Sequence, residues 1–254
     1  MVRCKLPFIR GLVVISFLAV TLVFVGAPSS PAQNFRPDSP EDKRAEGTVS
    51  VRDLGIPAKA FEDFQRGLQE LGKQETVRSI RSFTKAIEKY PQYYEAYYHL
   101  GVAERRLGQD DKAMASFQTA IDLSNGKYAL AEYGYALLLA KTGKTKDAEQ
   151  SVRYALELDQ NRPIGEVVLA TVLLTEHRVD EAEKHAREAL SLDSNACDAY
   201  LVLAALHGQR GEYADEVQDL DSFLTIEPNS ARTPMIKGIR DVAEGLATRA
   251  ANKP

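Results

Sequence analysis

The stretch Tyr94–Lys127 reads YEAYYHLGVAERRLGQDDKAMASFQTAIDLSNGK and decides the fold class of the chain. Its first half is amphipathic at helical spacing as far as Gly108, where a glycine can end the helix. In its second half Ala113, Phe117 and Ala120 recur at i, i+4 and i+7, which places them on one face of a second helix. The stretch therefore predicts one helical hairpin.

Small side chains on the facing sides of this hairpin predict close packing. Gly101, Ala113 and Ala120 let the two backbones approach each other, and Leu100 and Phe117 fill the space beside them. A single hairpin of this kind cannot bury its apolar faces alone, so it predicts copies of itself on either side.

The chain repeats the pattern with a period of 34 to 35 residues. The alanines at the end of the pattern are Ala86, Ala120, Ala155 and Ala189. The turn glycine recurs as Gly108, Gly143 and Gly211, with His177 in the fourth copy. Tandem copies at this period are typical of a repeat array.

The period and residue order resemble the tetratricopeptide repeat (TPR), whose pattern is W-x2-L-G-x2-Y…A-x3-F…P over about 34 residues. The matching residues, in order, are Tyr97, Leu100, Gly101, Ala113, Phe117 and Ala120. Glu104 stands where the pattern has tyrosine. The resemblance covers about Ala58–Pro228 and implies an all-α, right-handed α-solenoid of about five hairpins. Because TPR arrays serve many tasks, the fold alone does not name a function.

The repeats, together with the charge and hydropathy patterns on either side of them, divide the chain into segments. They are a signal peptide at 1–32, a linker and extended arm at 33–57, five repeats within 58–228 (about 60–91, 94–127, 129–161, 163–194 and 197–228) and a C-terminal capping helix at 231–250. The arm Val49–Pro57 alternates apolar and polar residues at its start, and we expect it to lie on the first hairpin. It also looks like the segment that precedes the repeats in exported bacterial TPR proteins.

The segment Met1–Ala32 looks like a secretory signal peptide. A positively charged start precedes Gly11–Val25, an apolar run of fifteen residues that is short for a membrane span. Small residues at Ser30 and Ala32 predict cleavage after Ala32. The protein is therefore expected to be exported, periplasmic or secreted. The alternative is an uncleaved N-terminal membrane anchor, which also places the repeats outside the cytoplasm.

The fifth repeat departs from the pattern. Glu216 stands where Ala113, Ala148 and Ala182 stand in earlier copies. A carboxylate is costly to bury, so we expect Glu216 to reach solvent or a partner. The capping helix that follows carries one predicted apolar face, made of Met235, Ile236, Ile239, Val242 and Leu246.

Composition narrows the possible partners. The 254 residues carry a formal charge of −4, which becomes −7 once Arg3, Lys5 and Arg10 leave with the leader. A mildly acidic chain without a basic cluster argues against nucleic acid. Cys197 is the single cysteine after the leader, so the mature chain has no intramolecular disulfide.

No catalytic constellation emerges, so we predict that the protein is not an enzyme and has no cofactor or metal. Gly143-Lys144-Thr145 mimics the end of a phosphate-binding loop, but Leu138 stands where that motif needs glycine. The four histidines, His99, His177, His185 and His207, form no H-E-x-x-H motif. We expect each of them to be a solvated helix residue.

The TPR resemblance implies that the first helices of the repeats line a concave groove. The predicted partner-binding residues in this groove are Phe64, Leu68, Tyr98, Val102, Tyr133, Leu137, Val167, Thr171 and Leu201. They lack the Lys, Arg and Asn set that grips a C-terminal carboxylate. An apolar, tyrosine-bearing groove suits an amphipathic helix or an extended apolar peptide. Alternatively these residues belong to the inter-repeat core, or the chain's own arm or last helix covers them.

Two functions are therefore open. The first is a non-catalytic protein–protein interaction scaffold outside the cytoplasm that binds a protein or peptide in its groove. The second is a structural or assembly subunit that self-associates or belongs to an envelope complex. A membrane contact is expected only through an uncleaved N-terminal segment, and neither the partner nor the oligomeric state follows from the residues.

Overall fold

The computed structural model describes residues 55–252, which contain eleven α-helices and no strand. The helices are α1 (Ala58–Gly72), α2 (Thr76–Lys89), α3 (Tyr94–Arg106), α4 (Asp110–Leu123), α5 (Ala129–Lys141), α6 (Thr145–Leu158), α7 (Pro163–Thr175), α8 (Val179–Leu192), α9 (Cys197–Arg210), α10 (Tyr213–Ile226) and α11 (Thr233–Ala251). The predicted all-α fold of TPR hairpins is confirmed. The predicted signal peptide, the linker and most of the arm lie outside the described residues.

The described residues form two compact units, 55–135 and 136–252, and the boundary falls within α5. In the first unit α1 packs on α2, α2 on α3, and α3 on α4. In the second unit α7 packs on α8, α9 on α10, and α10 on α11. None of the helices between residues 55 and 252 is both long and apolar enough to cross a membrane.

A left-handed residue ends the first helix of each hairpin. Gly108 has φ +71°, and the next N–H, that of Gln109, donates to the carbonyl of Glu104 at 3.0 Å. This bond closes the helix as a Schellman motif. Gly143 and Gly211 adopt the same conformation in the third and fifth hairpins. The sequence pattern thus marks these turns through the residue type that a positive φ favours.

Two hairpins make the same turn without glycine. Gln74 has φ +63° and His177 has φ +59°, although side chains disfavour this region. The bonding is unchanged, since the Glu75 N–H donates to Glu70 and the Arg178 N–H donates to Leu173. The same closing hydrogen bond therefore forms at these two turns despite the side chain.

Close helix contact in the first unit centres on Phe117, which is completely buried. A Cβ placed on Gly101 would lie 2.9 Å from the Phe117 ring, and one placed on Gly134 would lie 2.7 Å from it. Ala113 and Ala120 are also fully buried. Small residues on α3, α4 and α5 thus enclose one large ring, as the spacing around Phe117 predicts for the first two of these helices.

The last helix packs through a narrower face than predicted. Ile236 and Ala243 are buried on α11, and Ile239 lies partly buried against the core formed by α9 and α10. Met235 and Val242, which we expected on the same face, are 39% and 44% exposed. The helical period explains this correction, because Ile236, Ile239 and Ala243 point one way and the other two flank them.

Candidate functional site

The nine predicted groove residues lie on α1, α3, α5, α7 and α9, the first helix of each hairpin. In the first unit Phe64, Val102 and Tyr133 are buried within the chain, whereas Leu68 and Tyr98 are half-buried. Leu68 and Tyr98 are therefore the predicted residues of this unit that offer surface to a partner.

In the second unit Val167, Thr171 and Leu201 are buried, and Leu137 is half-buried. The Thr171 hydroxyl donates to the carbonyl of Val167 at 2.8 Å, so it is satisfied inside its own helix. The nine residues thus include both core positions and surface positions. Their role in partner binding stays a prediction.

The surface of the first unit is aromatic around Tyr98. Its ring lies 5.4 Å from that of Tyr128 in an edge-to-face arrangement, and Tyr94 lies 5.0 Å from Tyr128. All three tyrosines are half-buried. We call Tyr94, Tyr98 and Tyr128 the tyrosine patch. Such rings carry large apolar faces and a polar hydroxyl, the combination that is enriched in protein interfaces.

Tyr98 also connects this patch to the core. Its ring lies 5.9 Å from Phe117, and neighbouring Tyr93 is buried at 4.7 Å from Phe64. At this junction Tyr93 therefore belongs to the core, whereas the tyrosine patch lies at the surface. Tyr128 escaped the sequence prediction because it precedes α5, outside the helix positions that the TPR pattern assigns to the groove. The one signal in the sequence is that Tyr128 directly precedes Ala129, where α5 begins.

His99 lies beneath the patch among aromatic rings rather than in solvent. Its ring stacks on Phe83 at 5.7 Å and lies 5.5 Å from Phe64 and 4.9 Å from Tyr98. Burial, with a smaller contribution from the charge of Arg106, lowers the pKa of His99 to about 3. The imidazole is therefore neutral near pH 7, and this aromatic region carries no histidine charge.

The expectation of solvated histidines is also wrong at two other positions. His207 is buried, and its Nδ1 lies 2.7 Å from Asp219. His185 is half-buried, with Nδ1 2.6 Å from Glu166. His177 alone of the four is exposed. Among residues 55–252, no group of three or more His, Cys, Asp or Glu side chains is placed to hold a metal ion.

Charged residues of the second unit are mostly engaged with one another. Arg178 reaches Glu149 at 2.7 Å, Glu176 at 3.0 Å and Glu181 at 2.7 Å. These hydrogen bonds raise the pKa of Arg178 and lower that of Glu181. The network joins the turn of the fourth hairpin to α6. Such exposed pairs contribute little stability each, about 0–1 kcal/mol.

Glu216 is largely buried inside its own hairpin, whereas the sequence predicted that it reaches solvent or a partner. It is 6% exposed and lies against Gly208 of α9. Burial raises the pKa of Glu216 to about 7. The carboxyl group therefore keeps its proton up to near-neutral pH, and the neutral form costs less to bury than the charged one. The sequence identified the unusual position, but it gave no sign that glycine on the facing helix makes room for the carboxyl group.

The comparisons with known proteins agree with this architecture. The family model of the tetratricopeptide repeat matches residues 64–128 and 167–231, just over half of the chain. No curated protein matches the sequence significantly. Proteins built on this repeat are scaffolds that present extended binding surfaces for other proteins, typically without catalysis.

Several solved structures share the fold. A thermophilic TPR protein of Thermus thermophilus is 17% identical with a TM-score of 0.65, over 72% of this chain and 98% of that one. The pilF protein of Pseudomonas aeruginosa is 22% identical with a TM-score of 0.56, over 75% and 90%. At these identities the similarity shows the fold alone.

A third similar structure is a chain of the APC/C hetero-tetramer Cut9–Hcn1. It is 17% identical with a TM-score of 0.63, and the match covers 77% of this chain. The same match covers 41% of the other chain, so the present chain spans about two fifths of that protein's length.

Proposed function

The chain belongs to the tetratricopeptide repeat family, and on this premise we propose that it is a non-catalytic scaffold that binds a protein partner through the tyrosine patch of its first unit. The observation that carries the proposal is the grouping of Tyr94, Tyr98 and Tyr128 at ring distances of 5.0 and 5.4 Å on a half-buried surface. The preferred ligand is an amphipathic helix or an extended apolar segment, because both offer side chains that pack on aromatic faces.

The chemistry around the patch supports an apolar ligand. His99 beneath it is neutral, and Leu68 adds a half-buried aliphatic side chain to the same unit. A ligand that places an aliphatic or aromatic anchor between Tyr94 and Tyr98 removes apolar area from water at about 25 cal/mol per Å². We expect a few such anchors to carry most of the affinity.

Site-specific photocrosslinking in the native host tests this proposal. A benzophenone amino acid at position 98 is expected to crosslink a partner that the same group at position 154 does not. Tyr154 is the matched control, because it is a 44% exposed tyrosine on α6, outside the patch. Tyr98→Ser should then weaken binding of the purified partner at least tenfold, while Tyr154→Ser leaves it unchanged. Equal crosslinking at both positions would contradict the proposal.

Tyr133 is unsuitable for this test although it belongs to the predicted groove. It is 2% exposed, so a polar substitution there would damage the core and confuse folding with binding. Tyr98→Ser keeps the helix and removes a half-buried ring. Circular dichroism and a melting curve on each variant separate loss of the binding surface from loss of structure.

The proposal includes a location outside the cytoplasm, supported by the predicted leader at 1–32. An alkaline phosphatase fusion after residue 57 tests export, because the enzyme is active only where its disulfides form. Mass spectrometry of the mature N-terminus tests cleavage after Ala32. An inactive fusion in a host with a working export pathway would overturn this part of the proposal.

The second candidate function is an assembly subunit, and the exposed apolar residues of α11 favour it. Met235 and Val242 are 39% and 44% exposed. They are seven residues apart, which is about two helical turns, so they lie on the same side of α11. Light scattering over a hundredfold range of concentration tests self-association through this face. We expect any oligomer formed there to dissociate in a Met235→Ser, Val242→Ser double variant. A monomer at all concentrations would exclude self-assembly.

A further inference from the structure

Glu216 occupies a site in the fifth hairpin that is shaped for it. The equivalent residues Ala113, Ala148 and Ala182 are fully buried, which shows that this position faces the partner helix of the hairpin. On α9 the facing residue is Gly208. A Cβ placed there would lie 2.9 Å from Oε2 and 3.0 Å from Oε1 of Glu216. Glycine at 208 therefore leaves the volume that the Glu216 carboxyl group fills.

Glu216 is 6% exposed, and its carboxyl group forms no hydrogen bond or ion pair with any residue between 55 and 252. The neighbouring imidazole is engaged elsewhere, since His207 Nδ1 lies 2.7 Å from Asp219 Oδ2 and His207 Nε2 lies 4.0 Å from Glu212 Oε2. Glu216 and Asp219 are three residues apart on α10, so both carboxyl groups face α9.

Other charges near this cluster do not neutralise Glu216. Arg187 on α8 and Asp215 on α10 act on Asp219, the first favouring its ionised form and the second opposing it. On α11, Arg240 binds Asp221 at 3.0 Å and Glu244 at 2.6 Å. The carboxyl groups of Glu212, Glu216 and Asp219 thus lie near one imidazole, and only that of Asp219 is hydrogen-bonded to it. Of the two without a hydrogen bond, Glu216 is the buried one.

We propose that Glu216, packed beside Asp219 and His207, is a proton-binding site that couples the stability of the fifth hairpin to pH across the neutral range. A protonated Glu216 is neutral and fits the buried position, whereas an ionised Glu216 places a poorly solvated negative charge near Asp219. Repeat arrays can open locally at an end, so the cost of ionisation falls mainly on α10 and the helices that pack on it.

The direction of the effect follows from linkage. Burial raises the folded-state pKa of Glu216 to about 7, His207 opposes the rise and Asp219 adds to it. The ordinary value is 4.5, so the folded chain holds a proton between these values that the unfolded chain has released. The stabilisation is complete below pH 4.5 and is lost as the pH rises toward 7. The fifth hairpin is therefore firmer in mildly acidic solution than in alkaline solution.

Hydrogen exchange of the full chain, corrected for intrinsic rates, tests the proposal at pH 5.5 and pH 8. In the wild type, protection of α10 amides is expected to fall by on the order of tenfold or more between the two conditions. Glu216→Gln keeps the shape of the protonated side chain and should abolish this change. Glu188→Gln, an exposed carboxyl on α8, is the matched control and should preserve it.

A second measurement needs no substitution. Carbon-detected NMR of the wild type, with Glu216 assigned through its own backbone, should give a carboxyl titration midpoint near 7. A midpoint near 4.5 would overturn the proposal, and so would an equal pH response of α10 in wild type and Glu216→Gln.

Discussion

Ser116 Oγ donates a hydrogen bond to Glu104 Oε2 across the second hairpin, over 2.7 Å in a buried environment. Glu104 is the residue that departs from the TPR pattern, and this bond explains how the fold accommodates it. Burial raises the pKa of Glu104, and the bond from Ser116 opposes the rise. The first hairpin contains the same pair twelve residues apart, since Ser82 Oγ donates to Glu70 at 2.6 Å.

Removing the donor from this pair should destabilise the first unit. Ser116→Ala leaves the 8% exposed Glu104 without its hydrogen bond, which costs about 1–3 kcal/mol of unfolding free energy. Ser82→Ala should cost less, because Glu70 is half-buried and water can replace the donor. Urea denaturation of both variants measures the difference. Equal losses for the two serines would show that burial does not set the strength of these pairs.

Close helix contact around Phe117 predicts a contrast between glycines. Gly134→Ala places a methyl group where the Phe117 ring lies 2.7 Å away, and should destabilise the chain by about 1–3 kcal/mol through overpacking. Gly238→Ala on α11 meets nothing within 4 Å and should instead stabilise the helix by about 0.5–1 kcal/mol. Thermal melts of the two variants should therefore shift in opposite directions. A shift of the same sign in both would contradict the packing at Phe117.

The hairpins could be predicted from the sequence because their determinants are local. Ala113, Phe117 and Ala120 occur at a spacing that only a helix places on one face, and Gly108 occupies a turn that requires a positive φ. The period of 34 to 35 residues then locates the remaining hairpins. These features need no knowledge of distant contacts, and the structure places each of them as the pattern indicates.

The depth of each groove residue could not be predicted in the same way. Tyr98 and Tyr133 occupy equivalent helix positions, but Tyr98 is half-buried and Tyr133 is 2% exposed. The difference depends on which side chains the neighbouring helices supply, such as Tyr128 from the segment before α5. Glu216 is a similar case, because its burial depends on the glycine at position 208.

Relief of backbone strain offers a stabilising substitution. His177 has φ +59° in the turn of the fourth hairpin, where the second, third and fifth hairpins carry glycine. Because His177 is exposed, its replacement removes little packing. His177→Gly should raise the unfolding free energy by about 0.5–1 kcal/mol. The substitution removes the cost of holding a residue with a side chain in the left-handed conformation, and the greater freedom of glycine in the unfolded chain offsets part of this gain. Gly108→Ala is the reverse substitution and should destabilise. A loss of stability in His177→Gly would show that the imidazole contributes contacts that outweigh the strain.

His99 predicts loss of stability in acid, opposite in sign to the effect of Glu216. Its pKa is about 3 in the folded chain and 6.5 ordinarily, so the unfolded chain binds a proton between these values that the folded chain does not. The stabilisation is complete above pH 6.5 and is lost as the pH falls toward 3. At pH 5 the stabilisation that is lost amounts to about 1–2 kcal/mol, and the lower figure applies because His99 as a residue is half-buried.

His99→Phe isolates this contribution, since it keeps an aromatic ring against Phe83 and Phe64 and cannot take up the proton. Its stability relative to wild type should increase as the pH falls from 7 to 5 in urea denaturation. His177→Asn is the matched control, because it removes an exposed histidine outside the aromatic cluster and asparagine tolerates the same backbone conformation. Because the comparison is between variants, the opposing response of Glu216 cancels. A constant difference between wild type and His99→Phe from pH 7 to pH 5 would mean that His99 takes up its proton without leaving the aromatic cluster.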